Sequence, residues 1–323
     1  MSATGEAERV AVVGSGSIGV AFAIVFARAG FRVALHDPVP AARERAEAEL
    51  AERLELLAEA GLLPGGVGAA AARISLHATL DEAVAGCALV QECAPEQREL
   101  KRELFALAAA AAPAGAVLAS SSSAIPPSEL ADGLPEDAAG RLVVGHPGNP
   151  PYLLPVLELV PSPRTDPAVL ARARDVYERA GLRVVELRRE VEGFVFNRLQ
   201  GALLREAYCL VRDGVVDVDG VDEIVRSGLG RRWSVVGPFE TSDLNVRGGI
   251  AAHAERMGGA YARMGAERGQ HDPWSPELVD TVAAQRRAIL PLERWDERVR
   301  WRDRRLTALT AVWDDGARNG GEA

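Results

Sequence analysis

Cysteine is scarce in this chain. The three residues in 323, Cys87, Cys93 and Cys209, all lie on or beside apolar segments. No CxxC and no Cys/His ligand spacing accompanies them, which argues against a disulfide-stapled scaffold and against a bound metal. They read as buried free thiols in a reducing compartment. Positive charge is also in deficit. A formal net charge of −9 leaves no basic surplus to neutralise nucleic-acid phosphates or an anionic membrane, so no nucleic acid and no membrane is expected as partner. Long apolar runs are missing too, since none approaches the ~18–20 residues of a membrane span. Residues 1–9 are short, polar and acidic, unlike a signal peptide, and the expected location is cytoplasmic.

What is present is the composition of an ordinary globular protein, 48% hydrophobic and 26% charged, with length for about two domains. Val10–Val13 is an apolar run halted at Gly14, as a buried parallel strand would be, and a helix pattern follows over Ile18–Arg28. Strand-like runs recur at Arg32–Leu35, Ile74–Leu76, Ala88–Val90, Ala116–Ala119, Leu142–Val144, Val156–Val160 and Arg183–Leu187. Helical stretches at Ala41–Ala60, Asp81–Ala85, Gln97–Ala112 and Asp166–Arg179 separate most of them. This alternation predicts an α/β fold with a mostly parallel sheet. The texture changes after about residue 190. One long helix is expected over Val191–Asp213, then helices near Val218–Ser227, Thr241–Met264, Pro276–Leu290 and Leu292–Trp313, with a frayed tail at Asp314–Ala323. The expected domains are therefore 1–190 and an all-α C-terminal domain, 191–323.

Gly14-Ser15-Gly16-Ser17-Ile18-Gly19 fits GxGxxG directly after a strand and at the opening of a helix. Gly14 allows the tight turn, Gly16 lets backbone approach a pyrophosphate, and Gly19 permits close helix–strand packing, which makes the first domain Rossmann-type. Asp37, at the end of the second strand, would accept bonds from the adenosine ribose hydroxyls and repel a 2′-phosphate, favouring NAD over NADP. The alternative is a glycine-rich turn without a ligand.

Gly145-His146-Pro147-Gly148-Asn149-Pro150-Pro151-Tyr152 ends one apolar run, and Glu158 lies inside the next. Prolines 147, 150, 151 and 155 forbid a helix between them. A histidine oriented by a carboxylate suits proton transfer at neutral pH; a structural turn with a satisfied histidine is the other reading. Ser120–Ser123 follow a strand at its ligand-facing C-terminal end, although a serine-rich turn before Pro126 fits equally. Asn197, an amide among aromatic residues, needs a partner, whether substrate, histidine or a backbone carbonyl. His36 ends an apolar strand, and His77, His253 and His271 read as surface residues.

With Val90-Gln91-Glu92-Cys93-Ala94-Pro95-Glu96 and Gly193-Phe194-Val195-Phe196-Asn197-Arg198-Leu199-Gln200 added, the chain resembles the L-3-hydroxyacyl-CoA dehydrogenase superfamily. It is most similar to the lambda-crystallin/L-gulonate 3-dehydrogenase branch, through the His146–Tyr152 run, Gly228–Trp233, Gly237–Thr241 and Trp301-Arg302-Asp303. The resemblance implies an NAD-dependent dehydrogenase of 3-hydroxy acids or 3-hydroxyacyl-CoAs. It matches His146 to the general base, Glu158 to its orienting carboxylate, and Ser123 and Asn197 to the groups on the substrate oxygen, with Ser122 also a substrate candidate. It places NAD on Gly14, Gly16, Ser17, Ile18, Gly19, Asp37, Glu96 and Lys101. A homodimer through the helical domain is expected from the family. Where relatives usually carry Asn or Thr within the serine cluster, this chain has serine throughout.

The substrate is expected to be a small molecule. Ala41–Ala60 carries glutamates at 44, 47, 49, 52, 55 and 59 against arginines at 43, 45 and 53, an acidic face that would repel the phosphates of CoA. Arg232 lies where acyl-CoA relatives tend to have small residues, and its guanidinium suits a free carboxylate; an ordinary salt bridge is the alternative. The expected reaction is oxidation of an L-gulonate-like L-3-hydroxy acid. The alternatives are an L-3-hydroxyacyl-CoA (3-hydroxybutyryl-CoA) dehydrogenase and a non-catalytic, NAD-binding, crystallin-like structural protein.

Overall fold

A computed structural model describes residues 7–270 and 275–301. Strands and helices alternate as β1 (Arg9–Val13), α1 (Ser17–Arg28), β2 (Arg32–His36), α2 (Pro40–Glu59), α3 (Gly66–Ala71), β3 (Ile74–His77), α4 (Leu80–Val84), β4 (Leu89–Glu92), α5 (Arg98–Ala111) and β5 (Val117–Ser120). There follow α6 (Pro127–Leu130), α7 (Glu136–Ala139), β6 (Leu142–Pro147), β7 (Val156–Pro161), α8 (Pro167–Arg179) and β8 (Arg183–Glu186). The strands form one sheet in the order β3-β2-β1-β4-β5-β6-β7-β8. All neighbouring pairs are parallel except β6–β7, which is antiparallel. Chain order reverses between β1 and β4, the switch point outside which open α/β sheets bind ligands.

Each face of the sheet carries its own core. One gathers around α1, which is buried from Gly19 to Ala27 because its sequence is apolar all round. The other is built on Val13, Phe105, Leu118, Val144 and Phe194. The remaining elements are helical: α9 (Phe196–Arg212), α10 (Val218–Glu223), a π-helical turn at Ile224–Leu229, α11 (Gly230–Trp233), α12 (Pro238–Asn245), α13 (Gly249–Glu267), α14 (Pro276–Ile289) and a 3₁₀ turn at Leu292–Arg294. The chain divides into two compact units, Met1–Leu203 and Leu204–Ala323, so α9 begins in the first and continues into the second. The expected boundary at 190/191 falls in the turn before α9.

Two expected helices differ. The helix expected over Val191–Asp213 starts only at Phe196, because Gly193 (φ +73°) and Phe194 (φ +49°) adopt left-handed backbone that no α-helix contains. The helix expected over Thr241–Met264 is two, α12 and α13, broken by extended Val246 and by Gly248 and Gly249 at φ +104° and +75°. His253, expected at the surface, is buried on α13 beside the Tyr261 ring. His36 is buried as well, its Nδ1 3.2 Å from the His77 carbonyl. His271, Arg302, Asp303, most of the helix expected over Leu292–Trp313 and the tail Asp314–Ala323 lie outside the described residues. Cys87 is buried, and Cys93 and Cys209 are half-buried and free. No helix among the described residues is long and apolar enough to cross a membrane.

Candidate active site

Gly14 turns the chain at φ +103°, and a Cβ there would lie 2.7 Å from the Cys93 carbonyl oxygen. A Cβ on Gly19 would collide with the Gly14 carbonyl. A Cβ on Gly16 would meet no protein atom within 4 Å. The two outer glycines are thus demanded by packing, and the middle one faces open space at the uncapped N-terminus of α1. An uncapped helix N-terminus beneath open space fits a cofactor's pyrophosphate. Asp37 completes this cradle. Its Oδ2 accepts from Ser15 N–H (3.1 Å) and the Ser15 hydroxyl (3.0 Å), and its Oδ1 from Val39 N–H (3.0 Å). Partial burial pushes the carboxyl up, but these donors prevail and hold it below the usual carboxylate range.

A second cluster joins β4, β5 and α5. Lys101 is the only lysine in a chain with 36 arginines, and it is fully buried. Its Nζ donates to Glu92 Oε1 (2.8 Å), Glu92 Oε2 (3.0 Å) and the Ala94 carbonyl (3.1 Å), and lies 3.3 Å from Glu96 Oε2. A compact ammonium can direct its donors to partners on several sides from one point, which a planar guanidinium cannot do in the same space. Burial pushes the Glu92 carboxyl up, opposed by the Lys101 ammonium and the Ser120 hydroxyl. For Glu96 burial acts in the same direction, but the Ser122 hydroxyl and Lys101 outweigh it and hold the carboxyl low. Ser122 is buried; its hydroxyl donates to Glu96 and accepts from Ile125 N–H (2.8 Å). Ser123 is exposed, with its N–H on Glu96 (3.0 Å) and its carbonyl accepting from Asn197 Nδ2 (2.8 Å).

His146 and Glu158 pair directly across the antiparallel ladder of β6 and β7. His146 Nδ1 lies 2.8 Å from Glu158 Oε2, and both side chains are buried. Glu158 Oε1 accepts from Val195 N–H (2.7 Å) and Phe196 N–H (3.0 Å). The left-handed pair Gly193-Phe194 turns these two amides, just before and at the start of α9, onto the carboxylate. An ionised carboxylate only accepts, so Nδ1 carries the proton and Nε2 is left with its lone pair. The rings of Phe194 and Phe196, 5.5 and 6.1 Å away between centroids, wall the imidazole. Gly145 is required because a Cβ there would collide with the buried Tyr177 hydroxyl.

The first unit therefore brings together His146 with Glu158, Ser123 with Asn197, Ser122 and Lys101 with Glu96, and Asp37 with the glycine turn. Arg232 belongs to the second unit, where it lines an apolar cavity of about 530 Å³. Sequence reasoning assigned no role to Glu92 or to the Val195 and Phe196 amides. An ionisable residue inside the apolar strand Leu89–Glu92 was a visible signal for Glu92, whereas backbone donors leave no trace in residue identity.

A strand–turn–helix cradle at the switch point, an acidic residue ending β2 and a helical second unit define a dinucleotide-dependent oxidoreductase. Residues 9–191 match the family described as 3-hydroxyacyl-CoA dehydrogenase, NAD binding domain, and residues 193–289 its C-terminal domain. The chain belongs to the 3-hydroxyacyl-CoA dehydrogenase family and is an NAD-dependent dehydrogenase. It is 43% identical to a lambda-crystallin homolog of Bos taurus over 257 residues, 79% of each chain. To L-carnitine dehydrogenase of Streptomyces griseus it is 42% identical over 254 residues, 78% of this chain and 74% of that one. Among solved structures, 5-formyl-3-hydroxy-2-methylpyridine 4-carboxylic acid 5-dehydrogenase, described as an NAD+-dependent dismutase, superposes with TM-score 0.72 at 28% identity, over 90% of this chain and 98% of that one.

Proposed function

We propose that the enzyme oxidises the 3-hydroxyl of a small, L-gulonate-like L-3-hydroxy acid to the 3-keto acid, with His146 as general base. The buried His146–Glu158 pair carries this reading. NAD, when bound, supplies the acceptor for the hydride leaving the carbinol carbon. The chain does the rest. His146 Nε2 takes the hydroxyl proton, and Glu158, held by two backbone N–H groups and by the imidazole, fixes the tautomer and stabilises the imidazolium. The Ser123 hydroxyl and the second N–H of the Asn197 amide hold the substrate oxygen. Ser122 supports the site by donating to Glu96, which would hold the cofactor's nicotinamide ribose while Lys101 ties it from the buried side.

A free acid is favoured over a CoA thioester by the glutamates exposed along α2, which repel phosphate, and by the likeness to an L-carnitine dehydrogenase, named for a free hydroxy acid. Arg232 is proposed to meet the carboxylate, since its buried Nε has no hydrogen-bond partner among the described residues. The second unit also exposes Leu204, Tyr208, Val215 and Ile224, apolar surface suited to a homodimer through the helical domain.

Initial rates with free 3-hydroxy acids and 3-hydroxyacyl-CoAs, each with NAD and NADP, test the reading through the absorbance of reduced cofactor. Turnover of free acids with NAD is expected. Turnover of thioesters alone would move the assignment to an acyl-CoA dehydrogenase, and NAD binding without any turnover to a crystallin-like structural role.

A further inference from the structure

Tyr177 on α8 is fully buried in the core that surrounds α1, yet it carries a hydroxyl into that apolar interior. The hydroxyl donates to Gln91 Oε1 on β4 (2.5 Å), and Gln91 is fully buried as well. It also stands against the backbone of Gly145 on β6. A Cβ there would overlap it and lie 2.9 Å from the ring carbon that bears it. Phe26 of α1 packs along the ring, 6.3 Å between centroids and 27° between planes. One side chain thus touches the helix behind the glycine turn, the strand that ends in Glu92 and the strand that carries His146.

Stability alone is a poor account of this polar pair. Gln91 Nε2 is buried without a hydrogen-bond partner among the described residues, so the pair leaves a donor unsatisfied where two apolar side chains would leave none. Burial, and to a lesser degree the neighbouring Cys93, pushes the Tyr177 phenol well above its ordinary value, so the hydroxyl keeps its proton and stays a donor. Gly145 and His146 are successive residues of one strand, so they address opposite faces of the sheet. Tyr177 bears on β6 from one face. His146 leaves it on the other, beside Phe194 and against Glu158. With no Cβ at Gly145, the phenol meets the main chain itself, one residue before the imidazole. A close-packed interior transmits such a contact rather than absorbing it.

We propose that Tyr177 is a positioning residue for His146: its hydroxyl, fixed by Gln91, sets the height of β6 at Gly145 and so aims the imidazole at the substrate hydroxyl. This rests on the general-base reading of His146 above.

The test compares Tyr177→Phe, Gly145→Ala, the double variant of the two, and Tyr177→Phe in a His146→Gln background, each with its parent. The readouts are kcat and KM for the best 3-hydroxy substrate, the dissociation constant for NAD and the melting temperature. Because a misplacement of about 1 Å can cost about a hundredfold, Tyr177→Phe and Gly145→Ala are each expected to lower kcat by roughly ten- to a hundredfold. KM and NAD affinity should stay near wild type. In the double variant the methyl takes space that the hydroxyl has left, so kcat should recover above that of Gly145→Ala. In the His146→Gln background, Tyr177→Phe should not lower the residual kcat further, since it acts only through the imidazole. Unchanged kcat for Tyr177→Phe, a loss shared by NAD affinity and melting temperature, no recovery in the double variant, or the same loss in the His146→Gln background each overturn the proposal. If Gly145→Ala does not fold, Tyr177→Phe in the two backgrounds decides alone. Near-normal turnover of His146→Gln would remove the general-base reading; a slow His146→Gln beside an unaffected Tyr177→Phe removes the positioning role only.

Discussion

His146 and Glu158 are direct cross-strand partners in the one antiparallel pair of an otherwise parallel sheet, with Nδ1 2.8 Å from Oε2. Side chains opposite each other on neighbouring strands share a face and stand within contact distance. The eleven residues between them matter only as the connection that turns the chain back. Replacing His146→Gln or Glu158→Gln is expected to lower turnover by about a hundred- to ten-thousand-fold, the range of general-base catalysis. Affinity for NAD should stay near wild type, since neither residue belongs to the glycine cradle. Steady-state kinetics with a cofactor titration checks both, and near-normal turnover of either variant would remove the assigned roles.

The glycine turn gives a prediction that separates folding from binding. Gly16→Ala adds a methyl into open space and should leave the melting temperature unchanged while weakening NAD binding. Gly19→Ala drives a methyl into the Gly14 carbonyl and should lower the melting temperature even without cofactor. Equal effects of the two on stability would contradict the cradle.

The buried Glu92–Lys101 pair should behave as a unit. Removing one partner leaves a buried charge uncompensated, at a cost of about 3–5 kcal/mol. Glu92→Gln and Lys101→Met are therefore each expected to destabilise strongly, and the double variant Glu92→Leu/Lys101→Met should recover much of the loss. Lys101→Arg, which keeps the charge but not the shape, should remain destabilised. Urea unfolding of the four variants measures this, and simple additivity of the single effects would argue against the coupling.

Burial lowers the pKa of His36. The unfolded chain gains its proton near the ordinary histidine value, ~6.5, while the folded chain resists until lower pH. The sign follows: the stability His36 contributes is complete above about pH 6.5 and is lost as pH falls through the folded value. Buried His253, lowered chiefly by desolvation, acts in the same direction. Chemical denaturation at pH 7.5, 6 and 5 should show wild type weakening with acid, and His36→Gln weakening less steeply. Parallel slopes would exclude His36 as a source.

The periodicities of the chain located all eight strands and the nucleotide-binding turn, because a buried parallel sheet demands continuous apolar runs and a diphosphate demands glycines at fixed offsets. Boundaries were less legible. Phe194 reads as a helix residue by composition, yet its left-handed backbone is fixed by a contact 37 residues away in sequence, between the amide of its neighbour Val195 and the Glu158 carboxylate.

The candidate site divides along the same line. Ser122 and Ser123 are identical and adjacent, so nothing local separates them; burial against Glu96 engages the first and leaves the second exposed. Lys101, matched through the resemblance to the cofactor, proves to be held by Glu92 as well.

By itself the sequence determined the kind of protein: an α/β nucleotide-binding domain with a helical partner, an acidic residue at the end of the second strand, and a histidine and a carboxylate on successive apolar runs. These follow from local pattern and residue chemistry. Only the tertiary structure decided how those groups are aimed. The tautomer of His146, the two backbone amides on Glu158, and the Ser120 and Ser122 hydroxyls on Glu92 and Glu96 all depend on contacts between segments far apart in the chain. Such contacts exist only once the hydrophobic cores on both faces of the sheet have fixed the strands in register.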